Sequence, residues 1–389
     1  MNIRIKTALL GAMAFLVCGA ALAGSKADIV VMTQNQYLGA DLNPIIAADD
    51  PAVANAEMIN ALIVLSNNNF AERVEALGES ILDKQPHLVA LQEVFTFACR
   101  DPYQTGYCAL FPNAFNDHLA ATMNVLGDEY YVAAEVQNLT LAPPVLPTPG
   151  VPLFLDPYYP VFISVIDQDV ILARADVATE IVEFECGLKP SGDGCNYNNV
   201  APAAVGPFGF LIERGFVGVD ATINGANYRF VNTHLETKQL GDSIPSLYLQ
   251  PAQASELWGA LLHPDVFDPS RRLIVTGDFN SSPVDVPPPG AVTAYQQLVG
   301  GMTIYGTQLP FAFTDTWYMR PGEPDGFTCC ELEDLSNASS MHDERIDIVF
   351  AFPAPQKVKS NVLDAETDDK TLSGLWPSDH ASVSAELTY

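Results

Sequence analysis

Two short runs in this chain, Leu88-Val89-Ala90-Leu91 and Leu273-Ile274-Val275, are wholly apolar. Each is followed within a few residues by carboxylate and amide side chains: Gln92-Glu93 after the first and Gly277-Asp278-Phe279-Asn280 after the second. A run this short with no polar position has no amphipathic helical period and reads as a strand buried on both faces. Strands of that kind sit in sheets covered on both sides, so the chain must build layers.

The other segments agree with a layered plan. Residues 28–33 and 170–173 read as further strands, and so do 346–350 and 381–387. Asn224-Gly225 separates 217–223 from 228–231 and predicts a hairpin with a tight turn. Phe70, Val74, Leu77, Ile81 and Leu82 recur at helical spacing, predicting an amphipathic helix over 68–84 that Pro86 stops. Residues 251–262 also read as helical. Hairpins mixed with helix-linked strands predict a mixed α/β layered domain. With no internal repeat and no linker, residues 24–389 read as a single domain.

Residues 1–23 carry Arg4 and Lys6, then an apolar stretch, then Ala21-Leu22-Ala23. This is the pattern of a secretory signal peptide, with an N-terminal membrane anchor as the alternative. Export, to a periplasm or beyond the cell, sets the meaning of the cysteines. Beyond Cys18 the chain has Cys99, Cys108, Cys186, Cys195, Cys329 and Cys330, an even set suited to an oxidising compartment. Local pairing is expected for Cys99 with Cys108 and for Cys186 with Cys195. Cys329 and Cys330 are then a vicinal pair or two free thiols. A zinc site is the rival, but no Cys-x-x-Cys supports it.

Two segments break the pattern. Residues 139–166 hold seven prolines and a single charged side chain, Asp156. Proline this dense predicts a long irregular insertion rather than sheet or helix. Its apolar stretches around Phe154 and Tyr158-Tyr159 pack on the protein, on another subunit, or on a lipid surface. Residues 283–290, with Pro287-Pro288-Pro289-Gly290, predict a second, shorter loop.

The polar residues gather at strand ends: Asn35, Glu93, His234, Asp278 with Asn280, and Asp379-His380 just ahead of the last strand. Ligands in sheet proteins collect where strands give way to loops. Taken singly, each has a bland explanation as a solvated loop carboxylate, a hydrogen-bonded histidine or a turn former. Together they form a set of carboxylates, amides and imidazoles. There is no serine in a nucleophile elbow and no Gly-rich phosphate cradle. Hard oxygen donors without thiolates suit Mg²⁺, Mn²⁺ or Ca²⁺. Two imidazoles beside such an ion suit a reaction that builds negative charge on a phosphoryl group.

The ordered series Thr33-Gln34-Asn35, Leu91-Gln92-Glu93-Val94, Asn232-Thr233-His234-Leu235, Gly277-Asp278-Phe279-Asn280, Arg345-Ile346-Asp347 and Ser378-Asp379-His380 resembles the motifs of the endonuclease/exonuclease/phosphatase superfamily. That superfamily comprises the DNase I-like metal-dependent phosphoesterases, and the series runs through nearly all of residues 28–389. The resemblance implies a four-layer α/β sandwich, two packed mixed β-sheets flanked by helices. It implies a divalent ion, Mg²⁺ first with Mn²⁺ or Ca²⁺ as alternatives, held by Glu93, Asn35 and Asp379. Asp278 would orient and deprotonate the attacking water, with Asn280 holding that geometry. His234 and His380 would act as protonated donors to phosphoryl oxygens, each held so by a carboxylate, Asp347 in the case of His380. Arg214 is a candidate cation for the substrate phosphate, the alternative being a surface pair with Glu213. Asp315 and Gln253 read as structural.

The motifs specify the substrate poorly. Lys plus Arg is 18 against 47 Asp plus Glu, a net charge of −29. Extended grooves for polyanions draw on lysine and arginine, so this balance disfavours a nucleic-acid scaffold. A secreted nuclease is the simplest expectation. A sphingomyelinase-type lipid phosphodiesterase, with peripheral lipid contact through 139–166, is the alternative, and a non-catalytic binding protein that kept the fold is a third. No apolar run in the body predicts a transmembrane segment.

Overall fold

The computed structural model describes residues 28–141, 150–187, 189–205, 208–238, 248–287, 289–301, 303–304, 307–308, 311–322 and 325–389. The expected signal peptide lies outside these residues. Two eight-stranded sheets face each other. The first runs Lys357–Leu363, Ser382–Thr388, Ile29–Asn35, Leu88–Gln92, then the long strand Val161–Arg174. Ile29–Asn35 and Leu88–Gln92 are parallel, and their other partners in this sheet are antiparallel. The second runs Thr314–Asp315, Asp347–Phe352, Arg272–Asp278, Ala226–His234 and Gly215–Ile223, where only Ala226–His234 with Arg272–Asp278 is parallel among these neighbours. Both sheets are therefore mixed.

The shared core lies between the sheets. Val31, Leu88, Ala90 and Ile171 from one pack with Val219, Phe230, Ile274 and Val349 from the other, all essentially inaccessible. Helices cover the outer faces. Phe70–Lys84 and His118–Leu126 lie on the first sheet, where Ile81 and Leu126 meet Met32, Val89 and Leu172. Leu249–Leu261 and Ala294–Gly300 lie on the second through Leu257, Trp258 and Leu298. This is the four-layer α/β sandwich. Leu88–Gln92 and Arg272–Asp278 are central strands with packed residues on both faces, which is why their apolar runs carry no alternation.

The expected elements occupy their places with small shifts at the ends. The predicted 68–84 helix spans Phe70–Lys84 and closes with Gln85 in the left-handed region just before Pro86. The hairpin turns through Asn224 and Gly225, both at positive φ. A helix at Pro51–Asn68, capped by the Asp50 side chain, has no counterpart in the sequence reading. Its weak amphipathicity hid it.

The Pro-rich insertion needs correction. Outside 142–149, which lie beyond the described residues, most of 139–166 is sheet. Val161–Arg174 is the 14-residue strand that joins the parts of the first sheet. Val151–Leu153 pairs only with its start, so Pro152 sits on an edge strand, where a missing N–H costs least. Pro157 and Pro160 fall in the connection between the two. Val151, Leu153, Val161 and Ile163 are buried against the protein itself, while Phe154, Tyr158 and Tyr159 are exposed. The disulfides Cys99–Cys108 and Cys186–Cys195 form as expected, with Cα–Cα separations of 5.8 and 5.2 Å, and Cys329 is joined to Cys330. Among the described residues no helix is long and apolar enough to cross a membrane.

Candidate active site

The strand registers bring the polar ends together. Asn35 pairs with Gln92, His234 with Asp278, and Asp278 with Asp347, so these groups stand at one end of the two sheets. Two buried amides lock the sheets to each other just behind them. Gln92 donates to Asn232 Oδ1 at 2.7 Å, and Asn232 donates to the carbonyls of Leu91 at 2.8 Å and Val170 at 3.0 Å. The amides within the Gln92-Glu93 and Asn232-Thr233-His234 segments are thus the hinge pins of the sandwich. Gly277 completes the approach: a Cβ there would lie 1.8 Å from the Thr233 carbonyl oxygen, and its φ is +143°. Only glycine allows the Asp278 strand so close to the His234 strand.

Glu93, Asp167, Arg214, Asp278, Asn280, Asp379 and His380 line one cavity of about 470 Å³. Glu93 and Asn280 both hold left-handed backbone, φ 55° and 47°. That conformation is uncommon for Glu and turns its side chain out of the strand line. One Glu93 oxygen accepts the Leu38 N–H at 2.7 Å. Asn35 donates to Asp278 Oδ2 at 3.1 Å, and the Asn280 N–H reaches Asp278 Oδ1 at 2.8 Å. Asp278 is therefore held by both of its oxygens.

The two histidines differ. His380 Nδ1 lies 2.8 Å from Asp347 Oδ2, and its Nε2 is 3.8 Å from Asp278. Burial works against its charge, but Asp347, Asp379 and Asp278 together hold the imidazole well above its usual pKa. His234 has a carboxylate neighbour, Asp278, but departs from the expectation of a protonated ring. Its Nδ1 meets an Arg214 guanidinium nitrogen at 3.1 Å. A guanidinium can only donate, so Nδ1 accepts, while Nε2 lies 3.1 Å from the Asn280 side-chain nitrogen and 3.3 Å from Asp278 Oδ2. Burial first, then the charge of Arg214, push this imidazole well below its usual range. His234 is neutral where His380 is cationic.

Arg214 does not pair with Glu213, whose carboxylate takes Lys189 at 2.5 Å. It points inward, 3.5 Å from Glu236 and 3.7 Å from Asp167. Burial raises Asp167, Asp278 and Asp379 each to about 7, and Glu93 adds to all three. Such an excess of buried negative charge in one cavity is the condition that a divalent cation relieves. Of the three ligands expected from the sequence, Glu93 and Asp379 line the cavity and offer hard oxygens of the kind that suit Mg²⁺, Mn²⁺ or Ca²⁺, while Asn35 Oδ1 accepts the Tyr37 N–H at 2.9 Å. Asp278, Asp347 and His380 also cluster tightly enough for an ion, but the imidazolium of His380 already supplies the positive charge there. Cys329 and Cys330 lie beside His380 with their sulfurs joined to each other.

Several groups escaped the sequence reading. Asp167 and Asp169 share the buried face of their strand with Val161, Ile163 and Val165, and that alternation was the available signal. Arg73, on the helix Phe70–Lys84, is 1% exposed and donates to the carbonyls of Gln36, Tyr37, Asn68 and Pro377 at 2.7–3.2 Å. It ties the loop after Asn35 to the loop before Asp379. Its place on the apolar face of the helix, one residue before Val74, was the available signal. Asp315 and Gln253 are structural: Asp315 pairs with Arg345 at 2.6 Å, and Gln253 accepts the Glu236 N–H at 2.8 Å.

No protein-family model and no curated protein matches the chain. Solved structures resemble it over most of its length. A mannosyl-6-phosphatase of Bacteroides thetaiotaomicron is 13% identical, with a TM-score of 0.49 covering 93% of this chain and 100% of the other. An endonuclease/exonuclease/phosphatase family protein of Leptotrichia buccalis is 15% identical, with a TM-score of 0.48 and coverage of 93% and 100%. A truncated TDP2 of Caenorhabditis elegans is 14% identical, with a TM-score of 0.48 and coverage of 93% and 97%.

Proposed function

We propose that this protein is an exported, divalent-metal-dependent phosphoesterase that cleaves a phosphodiester by attack of water. The observation that carries the reading is the convergence of Glu93, Asp278, Asp379 and a cationic His380 on one cavity. Glu93, Asn35 and Asp379 hold the ion. When bound, it neutralises phosphoryl charge and acidifies water. Asp278, fixed by Asn35 and by the Asn280 backbone, orients the water and takes its proton. His380 turns Nε2–H toward the developing charge on phosphorus oxygens while Asp347 holds Nδ1. His234, neutral, held at Nδ1 by Arg214 and at Nε2 by the Asn280 side chain, stands against Asp278 and keeps that base in place. Arg214 lines the cavity, yet its charge is already shared with Asp167 and Glu236, so it steadies His234 first and reaches a substrate phosphate second. The disulfides Cys99–Cys108 and Cys186–Cys195 support an oxidising compartment, secreted or periplasmic.

The intact acid, amide and imidazole set argues against a binding protein that lost its chemistry. Nuclease action is the simplest expectation from sequence. The lipid alternative has specific support: beyond the polar end the cavity wall is apolar. The test is hydrolysis of bis(p-nitrophenyl) phosphate in Mg²⁺, Mn²⁺ or Ca²⁺, with and without EDTA. Turnover that EDTA abolishes and added metal restores is expected. Equal rates in EDTA, or no turnover with any of the three ions, refutes the reading.

A further inference from the structure

The cavity that holds the acidic and imidazole groups does not end at them. From Glu93, Asp278 and His380 it continues between the helix Pro51–Asn68 and the far part of the first sheet, lined by Leu62, Leu65, Phe95, Phe97, Val151 and Ile163 among others. These six side chains belong to one hydrophobic cluster, and each is less than a tenth exposed. Protein interiors pack to the density of organic crystals and leave few voids larger than a water. Water needs several polar partners to stay in such a space, and the six side chains of this stretch offer none, so it favours apolar guests over water. Together with its charged end the cavity measures about 470 Å³, within the range of small-molecule sites. Its occupant must also explain why the void opens onto the charged end rather than elsewhere.

We propose that this apolar chamber is the subsite for a single hydrocarbon chain of the substrate, so that the protein acts on phosphoesters of amphiphiles. The proposal rests on the phosphoesterase reading above. A chain entering the chamber places the phosphate it carries beside Glu93, Asp278 and His380. Extended nucleic acid gains nothing from such a wall, and the net charge of −29 repels it. The chamber itself draws on the described part of the Pro-rich segment, through Val151 and Ile163, which gives that segment a role apart from surface contact.

The experiment measures binding and turnover separately. Methylphosphonate and dodecylphosphonate, both resistant to hydrolysis and kept below micelle concentration, are titrated calorimetrically into the full chain with Mg²⁺ present. Each buried methylene tightens binding about fourfold, so at least a hundredfold advantage for the dodecyl compound is expected. Ala61→Trp and Met58→Trp fill the chamber from the helix Pro51–Asn68, and each is expected to cut that advantage below tenfold. Met58 is only partly buried, so its variant keeps the test available if Ala61→Trp misfolds. In parallel, KM for p-nitrophenyl alkyl phosphodiesters is read against chain length. Equal affinity for the two phosphonates, or an advantage that both variants leave intact, overturns the chamber. Tight dodecylphosphonate binding with no turnover under any ion instead sinks the phosphoesterase reading and leaves the apolar subsite standing. The same chain presented in phosphatidylcholine vesicles assigns the source: retained preference indicates a membrane lipid and lost preference a free amphiphile, and both outcomes support the subsite.

Discussion

The pair formed by Asp347 and His380 is the most informative place to perturb. Asp347→Asn keeps the side-chain volume and an oxygen that accepts the Nδ1 proton across 2.8 Å, but removes the charge. Both side chains are buried, 0% exposed for Asp347 and 7% for His380, so solvent screens little of the interaction. Removing one partner of a buried ion pair costs on the order of 3–5 kcal/mol. Asp278 and Asp379 still favour the imidazolium, so part of that cost is recovered. Losing Asp347, the strongest of the charges that raise it, moves the His380 pKa downward. With burial then less opposed, the imidazole gives up its proton at a lower pH than in the wild type. A neutral donor stabilises phosphoryl charge less well, and loss of one such donor costs about 10²–10³ in rate. The expected result is a drop of that size in kcat for bis(p-nitrophenyl) phosphate at saturating metal, with a folded protein. Imidazole nitrogen shifts, followed by NMR across pH 5–9, report the charge directly. If His380 of the variant titrates no lower than in the wild type, or the rate stays within tenfold of wild type, the dyad argument fails.

His380→Ala and His234→Ala are each expected to lose at least about 10²-fold in turnover while their unfolding curves remain cooperative; a loss under tenfold removes that histidine from the site. Arg73→Met leaves the carbonyls of Gln36, Tyr37 and Pro377 without their buried donor, at about 1–3 kcal/mol each. A urea midpoint unchanged from wild type would refute its role as the tie between the two site loops. Gly277→Ala drives a Cβ onto the Thr233 carbonyl and is expected to cost more than about 3 kcal/mol or prevent folding, as scored by soluble yield and thermal melts. Asp364 tests pH linkage away from the metal site. Burial raises its carboxyl from 3.8 to about 6, although Ser80 and Ser382 donate to it. A carboxyl whose pKa is higher in the folded state destabilises the fold only once it ionises. The penalty is therefore absent below pH 4, grows between pH 4 and 6, and reaches about 2–3 kcal/mol above that. Asp364→Asn tolerates the left-handed φ of 63° and should gain stability over wild type at pH 8 but not at pH 4. The same urea difference at both pH values would show that the carboxyl is not the cause.

Much of the site was legible because its chemistry sits beside the strongest fold signals. Asn35, Glu93, His234 and Asp278 each follow directly on strands whose apolar content announces them. A strand central to a covered sheet must deliver its next polar residue to the sheet's edge, so their shared location followed from pattern alone. The arginine partner of His234 was not legible. Arg214 lies on the neighbouring strand's approach, and nothing local distinguishes an inward guanidinium beside Glu236 from a surface one beside Glu213. The buried Asp167 and Asp169 are in phase with Val161, Ile163 and Val165, but their charge argues for the opposite face. Their neighbours in sequence sit on a strand that is apolar at one end and alternating at the other.

What the sequence determined by itself was the layered α/β plan, the residue types available to the chemistry, and the local disulfides between cysteines nine residues apart. These depend on interactions along the chain or on a periodicity that any single strand or helix displays. The tertiary structure alone decided which imidazole is charged. It also turned a proline-rich stretch into sheet and left an apolar chamber open behind the carboxylates. Those outcomes depend on which distant side chains share a low-dielectric space, and a linear pattern carries no record of that distance.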